Sequence, residues 1–442
     1  MARVILISND VIGQTMAGPG IRYVEIARSL SKEHTVTVAA PEPSVFEDGA
    51  FKFITYNQSR PETLVEELRK HAVVIAQSLH PTLLRAVRSA NIRYVADLYD
   101  PIVLENLEAQ REWPLEDQER QHDFFLTIMN TSLAVADHLL CASERQRDYL
   151  IGAATSLGRL TPDEYRADPS LEQLVSLLPF GYSNEAPAVT DRKALAEFVP
   201  HFNPQKDHVL IWGGGIWNWF DPLSVIEAVA HLAAKRNDIK LLFLGTKHPN
   251  PQTPEMKMLN DAHALAEKLK VKDSFVFFNE GWVPYAQLAN YLKPASIGVS
   301  THFNHAETRF SFRTRILSYI WAGLPILSTK GDAMADLVER EGIGITVDYQ
   351  DVAGISKAIV ALIDNKTLKT DIKENMERLW PRFTWDELVT PLSWRIANEA
   401  FTNQSLSGFG FNRLLAKYFT TGARKVWQQK GLRGLTAKLK RK

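Results

Sequence analysis

The sequence predicts an α/β protein in which two parallel sheets face each other across a cleft. Short apolar segments typical of strands alternate with helical segments along most of the 442 residues. This alternation is typical of a parallel sheet with helices on both faces. The alternation pauses over residues 184–207, which are polar and contain Pro187, Pro200 and Pro204. It then starts again, so we expect two domains of similar size.

The first domain is expected to span residues 1–183 and to open with a strand at 4–7, followed by a helix at 20–30, where apolar residues recur at helical spacing. Its further predicted strands lie at 35–39, 73–76, 93–97 and 139–141. The second domain, expected at 208–382 after the linker 184–207, has predicted strands at 209–212, 240–244, 275–278, 296–300 and 325–329. Ligands of such sheets bind beyond the carboxyl ends of the strands, so the loops there are the candidates for function.

Composition excludes several classes of protein. The chain has 51 basic and 51 acidic residues, so its net charge indicates no particular partner. Cys141 is the only cysteine, which excludes an intrachain disulfide and fits a reducing cytoplasm. The first residues lack the apolar run of a signal peptide, and no stretch approaches the roughly 18 apolar residues of a membrane span. We therefore expect a cytoplasmic protein.

The charge is unevenly distributed, because residues 403–442 contain ten Lys or Arg and no Asp or Glu. Aromatic and leucine residues alternate loosely with these cations, as in segments that lie on an anionic membrane surface. We therefore expect this tail to place the protein peripherally at the inner face of the membrane; the alternative is a basic tail without that role. Nucleic acid is not expected as a partner, because the acidic remainder of the chain would repel it.

The segment 307–331 is the most informative part of the chain. It places Arg309, Arg313 and Arg315 at the start of a short helix that ends at Gly323 and Pro325. A helix N-terminus offers unpaired N–H groups and a partial positive charge, so with these arginines the segment is a candidate diphosphate site. At most two of the arginines are expected to touch phosphate, because residues two apart on a helix diverge. The alternative is a solvated basic helix face.

Two glycine-containing loops follow predicted strands. Gly18 and Gly20 flank Pro19 and would let the backbone approach a ligand, although a tight turn without a ligand explains them equally well. The dinucleotide fingerprint Gly-x-Gly-x-x-Gly is missing. Gly213, Gly214 and Gly215 lead to an expected helix start at Asp221 and Pro222, a layout suited to phosphate or sugar. No P-loop lysine follows them, which argues against a nucleoside triphosphatase.

Aromatic and acidic residues complete the set of candidate functional residues. Trp217 and its neighbour Asn218 follow the three glycines, where the tryptophan could form an apolar wall or pack between the domains. Trp282 and Tyr285 could flank a base, or form a half-buried pair in a turn. Asp97, with the carboxylates of Asp100 and Glu105 after it, could bind a sugar hydroxyl or move a proton. Asp100 has a second possible role as a helix cap ahead of Pro101.

Several segments in order resemble the family-4 glycosyltransferases of GT-B architecture. The resemblance rests on the Gly18 loop, on five short motifs and on the Ser-Phe-Arg-Thr-Arg stretch that a subgroup of the family shares. The motifs are Ala136-Asp-His-Leu-Leu-Cys-Ala-Ser143, Leu178-Pro-Phe-Gly-Tyr182, Gly281-Trp-Val-Pro-Tyr285, Trp321-Ala-Gly-Leu-Pro325 and Arg382-Phe-Thr-Trp-Asp386. The resemblance covers most of residues 1–400. It implies two Rossmann-like domains facing across a cleft, with a helix at 383–402 that returns to the first domain.

The resemblance also implies an activity. It implies a retaining transferase that moves a hexose from a nucleotide sugar, which we expect to be UDP-linked, to a glycan or lipid-linked acceptor. It implies no metal ion and no cofactor beyond that substrate. We expect catalytic roles for Glu307, Arg313 and Asp97. The residues expected to bind the donor are Gly18, Gly20, Gly214, Gly215, Trp217, Asn218, Trp282, Val283, Tyr285, Arg309, Ser311, Phe312, Thr314, Arg315 and Ser318.

The chain departs from the family pattern at two glutamates. Their positions, counted back from Gly323, are occupied by Phe310 and Ser318. Glu307 would then contact the donor sugar from a shifted position, and Ser318 would hydrogen-bond a ribose. The family's Arg and Lys near the first helix of the second domain are also missing. These departures keep open a partner protein that binds a nucleotide sugar without turnover. A GT-B epimerase is a further alternative, but it would need a compact acid and base set.

Overall fold

The computed structural model describes residues 1–402 and 410–421 of the chain. Within them lie thirteen strands, which form two sheets. The strands are β1 (Arg3–Ile7), β2 (Thr35–Pro41), β3 (Lys52–Tyr56), β4 (Val73–Ala76), β5 (Arg93–Asp97), β6 (His138–Cys141), β7 (Val175–Leu177), β8 (His208–Trp212), β9 (Ile239–Phe243), β10 (Val276–Phe278), β11 (Ile297–Ser300), β12 (Ile326–Thr329) and β13 (Gly344–Val347).

The two sheets are parallel throughout. The first has the order β3-β2-β1-β4-β5-β6-β7, and the second has the order β10-β9-β8-β11-β12-β13. In each sheet the chain enters at an inner strand, and the strand order reverses beside it. The carboxyl ends of β1 and β8 therefore lie beside the crevice where ligands of such sheets bind.

Helices connect the strands. They are α1 (Gly18–Leu30), α2 (Val65–Leu68), α3 (Pro81–Ser89), α4 (Ile102–Ala109), α5 (Leu115–Val135), α6 (Glu144–Ser156), α7 (Pro162–Ala167), α8 (Ala194–Phe198), α9 (Pro222–Ala233), α10 (Lys257–Lys268), α11 (Leu288–Leu292), α12 (Ala306–Phe310), α13 (Arg315–Ala322), α14 (Ala333–Glu341), α15 (Val352–Asp364), α16 (Lys366–Leu379) and α17 (Trp385–Ala397), with a last helix α18 at 410–421. Short 3₁₀ helices lie at Pro61–Leu64, Tyr285–Gln287 and Trp380–Phe383.

Three strands were not expected from the sequence: β3, β7 and β13. Each is the outermost strand of its sheet, and most of the residues in each are exposed or only partly buried. An edge strand is covered by fewer neighbours and does not need the continuous apolar run that marks a central strand. The apolar pattern therefore identified the central strands and missed these edges.

The hydrophobic core joins the two domains. One face of the first sheet, the second sheet and the inner face of α17 belong to a single apolar cluster, in which Phe180 packs against Trp385 with ring centroids 5.0 Å apart. The helix α17 lies against α1, where Asp386 accepts a hydrogen bond from Ser29 at 2.9 Å. The chain thus returns to the first domain after completing the second, and α17 holds the two domains together.

The described part of the tail, α18, corrects the expectation that its apolar residues lie on a membrane. In α18, Phe411 and Leu415 are buried in the core on the other face of the first sheet. Tyr418 and Phe419 pack on His80. The apolar side of this segment therefore faces the protein and is not available to a membrane. The rest of 403–442 lies outside the described residues. None of the helices in the described ranges has the length and apolar character of a membrane span.

Candidate functional site

A cavity of about 900 Å³ lies between the two sheets. The first domain contributes the end of β1, the start of α1, the loop after β5 and the facing sides of α4 and α5. The second domain contributes the glycine loop after β8, the segments at 244–256 and 282–285, and residues 312–319. Both sheets therefore present their carboxyl ends to one shared space, as the sequence predicts.

Most of the residues expected to bind a donor line this cavity. They are Gly18, Gly214, Gly215, Trp217, Trp282, Val283, Tyr285, Phe312, Thr314, Arg315 and Ser318, together with Arg313 from the expected catalytic set. Gly214 has φ +81°, a backbone conformation that favours glycine, and space for a side chain is open there. Its two neighbours differ, because Gly213 packs on Tyr319 and Gly215 on Trp217.

Arg315 is the cation best placed for an anion. It begins α13, its Nη2 donates to the Gly215 carbonyl oxygen at 3.1 Å, and its Nη1 is buried without a hydrogen-bond partner. The guanidinium lies 4.2 Å from the ring centroid of Phe220 and 4.6 Å from that of Trp212. Burial lowers its pKa to about 10, and Arg313 adds to the effect. Within the described residues no carboxylate forms an ion pair with it, so its charge is left for a ligand.

Arg313 and Glu307 neutralise each other. Nη1 and Nη2 of Arg313 donate to the two carboxylate oxygens of Glu307 at 2.8 and 2.7 Å, and both side chains are buried. Asp332 lies 3.7 Å from Nε of Arg313. Burial alone would lower the pKa of Arg313, but these carboxylates outweigh it and raise that pKa. Arg313 lines the cavity as part of a neutral pair, and Glu307 supports it from behind instead of facing a substrate.

Asp97 is not available for acid or base chemistry, which corrects the expectation. It is fully buried and accepts two hydrogen bonds from Arg22, at 2.8 and 2.7 Å. Arg22 also donates to the carbonyl oxygens of Leu178 and Pro179. The pair therefore ties the end of β5 to α1 and to the chain that leaves the first domain. Nothing in the local sequence identified Arg22, because its partners are 75 or more residues away.

Four other expected donor residues lie elsewhere. Gly20 is inside α1, where an added Cβ would come within 3.0 Å of the Val11 carbonyl oxygen. Arg309 is exposed, and its carbonyl oxygen accepts from Arg145 of the first domain. Ser311 is buried and donates to the Thr308 carbonyl oxygen at 3.0 Å. Asn218 bridges the domains, donating to the Ala109 carbonyl oxygen at 3.0 Å and accepting from the Met258 N–H at 3.1 Å.

The expected single helix from 307 is broken. Residues 306–310 form α12, the chain is extended at Ser311, and α13 begins only at Arg315. Glu307 in α12 pairs with Arg313 across the break, and the three arginines lie in three different environments. The helix end was predicted correctly: Gly323 has φ +68° and closes α13.

Helix N-termini add to the positive character of the cavity. Ala17, Gly18 and Pro19 at the start of α1 line it from the first domain, and no acidic residue lies in that helix's first turn. The start of α13 lines it from the second domain. The sequence placed Gly18 in a loop before its helix, whereas it is the first residue of α1. Two helix starts and Arg315 thus line the same cavity.

Two carboxylates that lie after β5 face the cavity in place of Asp97. Asp100 does not cap α4, which begins after Pro101 without a side-chain cap. Burial raises the pKa of Asp100 to about 7, against the opposing effect of Arg22. Burial also raises the pKa of Glu105 well above its usual value, and the nearby Asp100 and Glu307 add to this. Both groups line the cavity, so a proton can be exchanged there near neutral pH.

Tyr319 is a support that sequence reasoning missed. Its hydroxyl accepts from the Gly213 N–H at 2.8 Å and lies 2.9 Å from the Val299 carbonyl oxygen. It thereby holds the glycine loop against the end of β11. A signal existed in the sequence: Gly298 in the middle of β11 leaves room for the ring of Tyr319, since an added Cβ would be 2.3 Å from its Cγ. Within residues 1–402 and 410–421, no three His, Cys, Asp or Glu side chains are arranged to hold a metal ion.

Comparison with known proteins identifies the fold. A profile of the family described as glycosyl transferases group 1 matches residues 207–365. The HepE protein of Anabaena, solved in complex with UDP and glucose, aligns at 13% identity with a TM-score of 0.64, covering 90% of this chain and 99% of that one. WaaG, described as a glycosyltransferase involved in lipopolysaccharide biosynthesis, aligns at 16% identity with a TM-score of 0.62, covering 89% of this chain and 99% of that one.

A third structure supports the same assignment. Sucrose-phosphate synthase of Thermosynechococcus elongatus aligns at 16% identity with a TM-score of 0.61, covering 90% of this chain and 99% of that one. No curated protein is significantly similar to the chain in sequence. The chain therefore has the GT-B fold of two Rossmann-like domains, which confirms the fold that the sequence predicts.

Proposed function

We propose that this protein is a retaining glycosyltransferase that moves a hexose from UDP to a glycan or lipid-linked acceptor. The observation that carries the proposal is the unpaired guanidinium of Arg315, in a cavity that also receives two helix N-termini. A diphosphate leaving group gains negative charge as the glycosidic bond breaks. Donors held in position for that charge lower the barrier.

The parts of the cavity divide between the parts of the donor. Arg315, the Gly214 backbone and the start of α1 hold the diphosphate, while Trp282, Val283 and Tyr285 flank the base. Ser318 binds the ribose. The neutral pair of Arg313 and Glu307 forms the wall beside the hexose. Asp100 or Glu105, in place of Asp97, accepts a hydrogen bond from the acceptor hydroxyl.

Calorimetry with UDP, GDP and ADP tests the donor site. We expect UDP to bind, and we expect Arg315→Gln to weaken that binding by about tenfold or more, because a buried charge-assisted contact is lost. The matched control is Arg309→Gln, which removes the same charge from an exposed position six residues earlier and should leave the UDP affinity within about twofold. Equal losses in the two variants, or no nucleotide binding at all, would contradict the donor site.

Two further measurements test the retention of anomeric configuration and the independence from a metal ion. Proton NMR of the first-formed product should show the anomeric configuration of the donor retained. Dialysis against a chelator should leave the rate unchanged if, as we propose, no metal takes part. An inverted product would reject the retaining mechanism, and recovery of a lost rate by a divalent cation would reject metal independence.

A second function has its own support. Glu307 and Arg313 are bound to each other, and Phe310 and Ser318 stand where the resemblance expects glutamates. This favours a partner protein that binds a nucleotide sugar without turnover. Slow hydrolysis of UDP-hexose without acceptor separates the two functions. Measurable release of UDP that Arg315→Gln reduces supports the enzyme, whereas tight binding with no hydrolysis supports the binding partner.

Peripheral attachment at the inner face of an anionic membrane remains part of the proposal, but through charge instead of apolar contact. Arg413 and Lys417 of α18 are exposed, as are Arg85 and Arg88 of the neighbouring α3. Truncation at 402 would remove Phe411 and Leu415 from the core, so the better test is Arg413→Glu with Lys417→Glu. Unchanged binding to phosphatidylglycerol vesicles in this double variant would count against this surface.

A further inference from the structure

Part of the cavity lining has a chemistry different from the region around Arg315. Six residues, which we call the tryptophan mouth, line it: Gln110, Trp113 and Gln121 from the first domain and Trp217, Gln252 and Met256 from the second. Trp113 is 41% exposed, and it is not part of either hydrophobic core. A large aromatic ring that lines a cavity and is left partly in water is available to a ligand.

Hydrogen bonds and one close packing contact connect the tryptophan mouth to the region around Arg315, where we expect the diphosphate. Arg315 contacts the Gly215 carbonyl oxygen, and a Cβ built at Gly215 would be 3.4 Å from Nε1 of Trp217. The next residue, Asn218, binds both Ala109 at the end of α4 and Met258 in α10. Trp113 follows closely, since its N–H donates to the Gln110 carbonyl oxygen at 2.8 Å. The mouth is therefore continuous with the donor region and lies where the two domains meet.

The ring of Trp217 and the backbone of Trp113 are held in place. Trp217 stacks on Trp219 with ring centroids 5.4 Å apart and planes 3° from parallel, so one face of Trp217 is supported. The backbone of Trp113 is held at both ends, because its carbonyl oxygen accepts from the Gln118 side chain at 2.8 Å. A ring that is already fixed loses little freedom when a ligand stacks on it.

The charged side chains that line the cavity indicate which class of ligand the tryptophan mouth can bind. Of the described residues that line the cavity, none is a lysine, and the two arginines, Arg313 and Arg315, belong to the donor region. The polar groups of the mouth are the amides of Gln110, Gln121 and Gln252. Amides both donate and accept hydrogen bonds, which suits hydroxyl groups, whereas a phosphate or uronic acid would want a cation.

The charge of the surface around Trp113 also argues against a contact with a membrane. Leu107 and Leu115 beside Trp113 are also exposed. However, the corner from 107 to 120 carries Glu108, Glu112, Glu116, Asp117 and Glu119 against Arg111 and Arg120. A surface with this excess of acid is repelled by anionic lipid headgroups.

Building on the proposed transferase function, we infer that the tryptophan mouth is an acceptor subsite for an uncharged sugar ring. The C–H face of a pyranose lies on the negatively polarised face of Trp113 or Trp217, and its hydroxyls pair with the amide side chains. The sugar's reacting hydroxyl then points inward, toward Asp100 and Glu105. The acceptor is thus a neutral glycan, and it is bound through its sugar residues.

Saturation-transfer NMR and calorimetry on the full-length protein without nucleotide test this inference. The probes are neutral trisaccharides of glucose, galactose and mannose, a galacturonic acid trimer and glucose 6-phosphate. We expect at least one neutral trisaccharide to bind and Trp113→Ala to weaken it by about tenfold or more. Trp113→Phe keeps a ring and should restore most of the affinity. Trp394→Ala, at a 60% exposed tryptophan on α17, is the matched control and should have no effect.

The outcomes separate this inference from the donor proposal. UDP affinity should be unchanged in Trp113→Ala, and a UDP measurement that fails on the unaltered protein counts against the donor site alone. The acceptor inference is overturned if no neutral trisaccharide binds at millimolar concentration, if the charged probes bind better, or if Trp113→Ala and Trp394→Ala behave alike. Loss of phosphatidylglycerol vesicle binding in Trp113→Ala, with glycan binding intact, would overturn it in favour of a membrane contact.

Discussion

At the scale of single residues, three arginines in one short stretch have three different fates. Arg309 is exposed, Arg313 is neutralised by Glu307, and Arg315 keeps an unpaired, partly desolvated charge. They lie within seven residues of one another, so the difference comes from what each side chain meets in the fold. Whether a carboxylate of the protein already pairs with a buried arginine decides whether that arginine can bind an anionic ligand.

The Glu307 and Arg313 pair leads to a stability prediction. Glu307→Gln should destabilise the protein by about 3–5 kcal/mol, because it leaves a buried guanidinium with only the more distant Asp332 as a counter-charge. The double variant Glu307→Gln with Arg313→Met should recover part of that loss, since it removes the buried guanidinium and leaves Asp332 as the remaining buried charge. Urea unfolding of the two variants measures both effects. A Glu307→Gln protein as stable as the unaltered one would show that the pair is not buried as described.

Asp100 leads to a pH prediction. Its pKa is near 4 in an unfolded chain and is raised to about 7 by burial in the fold. The folded protein therefore holds this proton more tightly, and ionisation of Asp100 destabilises the fold progressively as pH rises from about 4 to 7. Asp100→Asn removes that penalty. Its melting temperature should exceed that of the unaltered protein at pH 8, and the difference should shrink steadily as the pH falls toward 4. An advantage independent of pH would contradict the assignment.

At the scale of elements, the site depends on how strands and helix starts meet. The glycine loop after β8 is held by Tyr319 of α13, and Tyr319 is accommodated by Gly298 of β11. Three segments that are far apart in sequence therefore set the position of one loop. This explains why the loop is recognisable from its glycines while its support is not.

Gly298→Ala tests this arrangement. The added methyl would overlap the Tyr319 ring, so we expect a loss of at least about 3 kcal/mol in unfolding free energy and a weaker affinity for UDP. Gly152→Ala is the control. It lies in α6, where a Cβ meets nothing within 4 Å, and it should stabilise by about 0.5–1 kcal/mol. Similar stability in the two variants would mean that Tyr319 can move without cost.

At the scale of the whole molecule, the two domains are held in a closed arrangement across the cavity. Arg145 of α6 donates to the Gly331 carbonyl oxygen at 2.5 Å and pairs with Asp336 of α14. Gln146 beside it donates to the Phe310 carbonyl oxygen at 2.9 Å. Asn250 of the second domain donates to Asp10 at 2.7 Å. These contacts lie around the donor region, so binding there should be coupled to domain closure.

Arg145→Ala should weaken UDP affinity by about two- to fivefold, because it removes partly exposed contacts between domains without touching the cavity. Arg147→Ala is the matched control, since Arg147 lies on the same helix and donates to Val175 and Ser170 within the first domain. Calorimetry measures the affinity, and small-angle scattering should show a larger radius of gyration for Arg145→Ala alone. Equal affinities in both variants would argue against the coupling.

The sequence by itself determined the fold class, the central strands, the glycine loop, the end of α13 and eleven of the fifteen expected donor residues, which line the cavity. These follow from local chemistry, such as apolar runs, glycine at positive φ and proline after a helix. Tertiary structure alone decided that Asp97 is paired with Arg22, that Glu307 neutralises Arg313 and that Arg315 is left for an anion. It also turned the apolar side of α18 inward. A charge or an apolar side chain is available to a ligand only if the fold leaves it unpaired, and its partners lie too far along the chain for a local pattern to identify them.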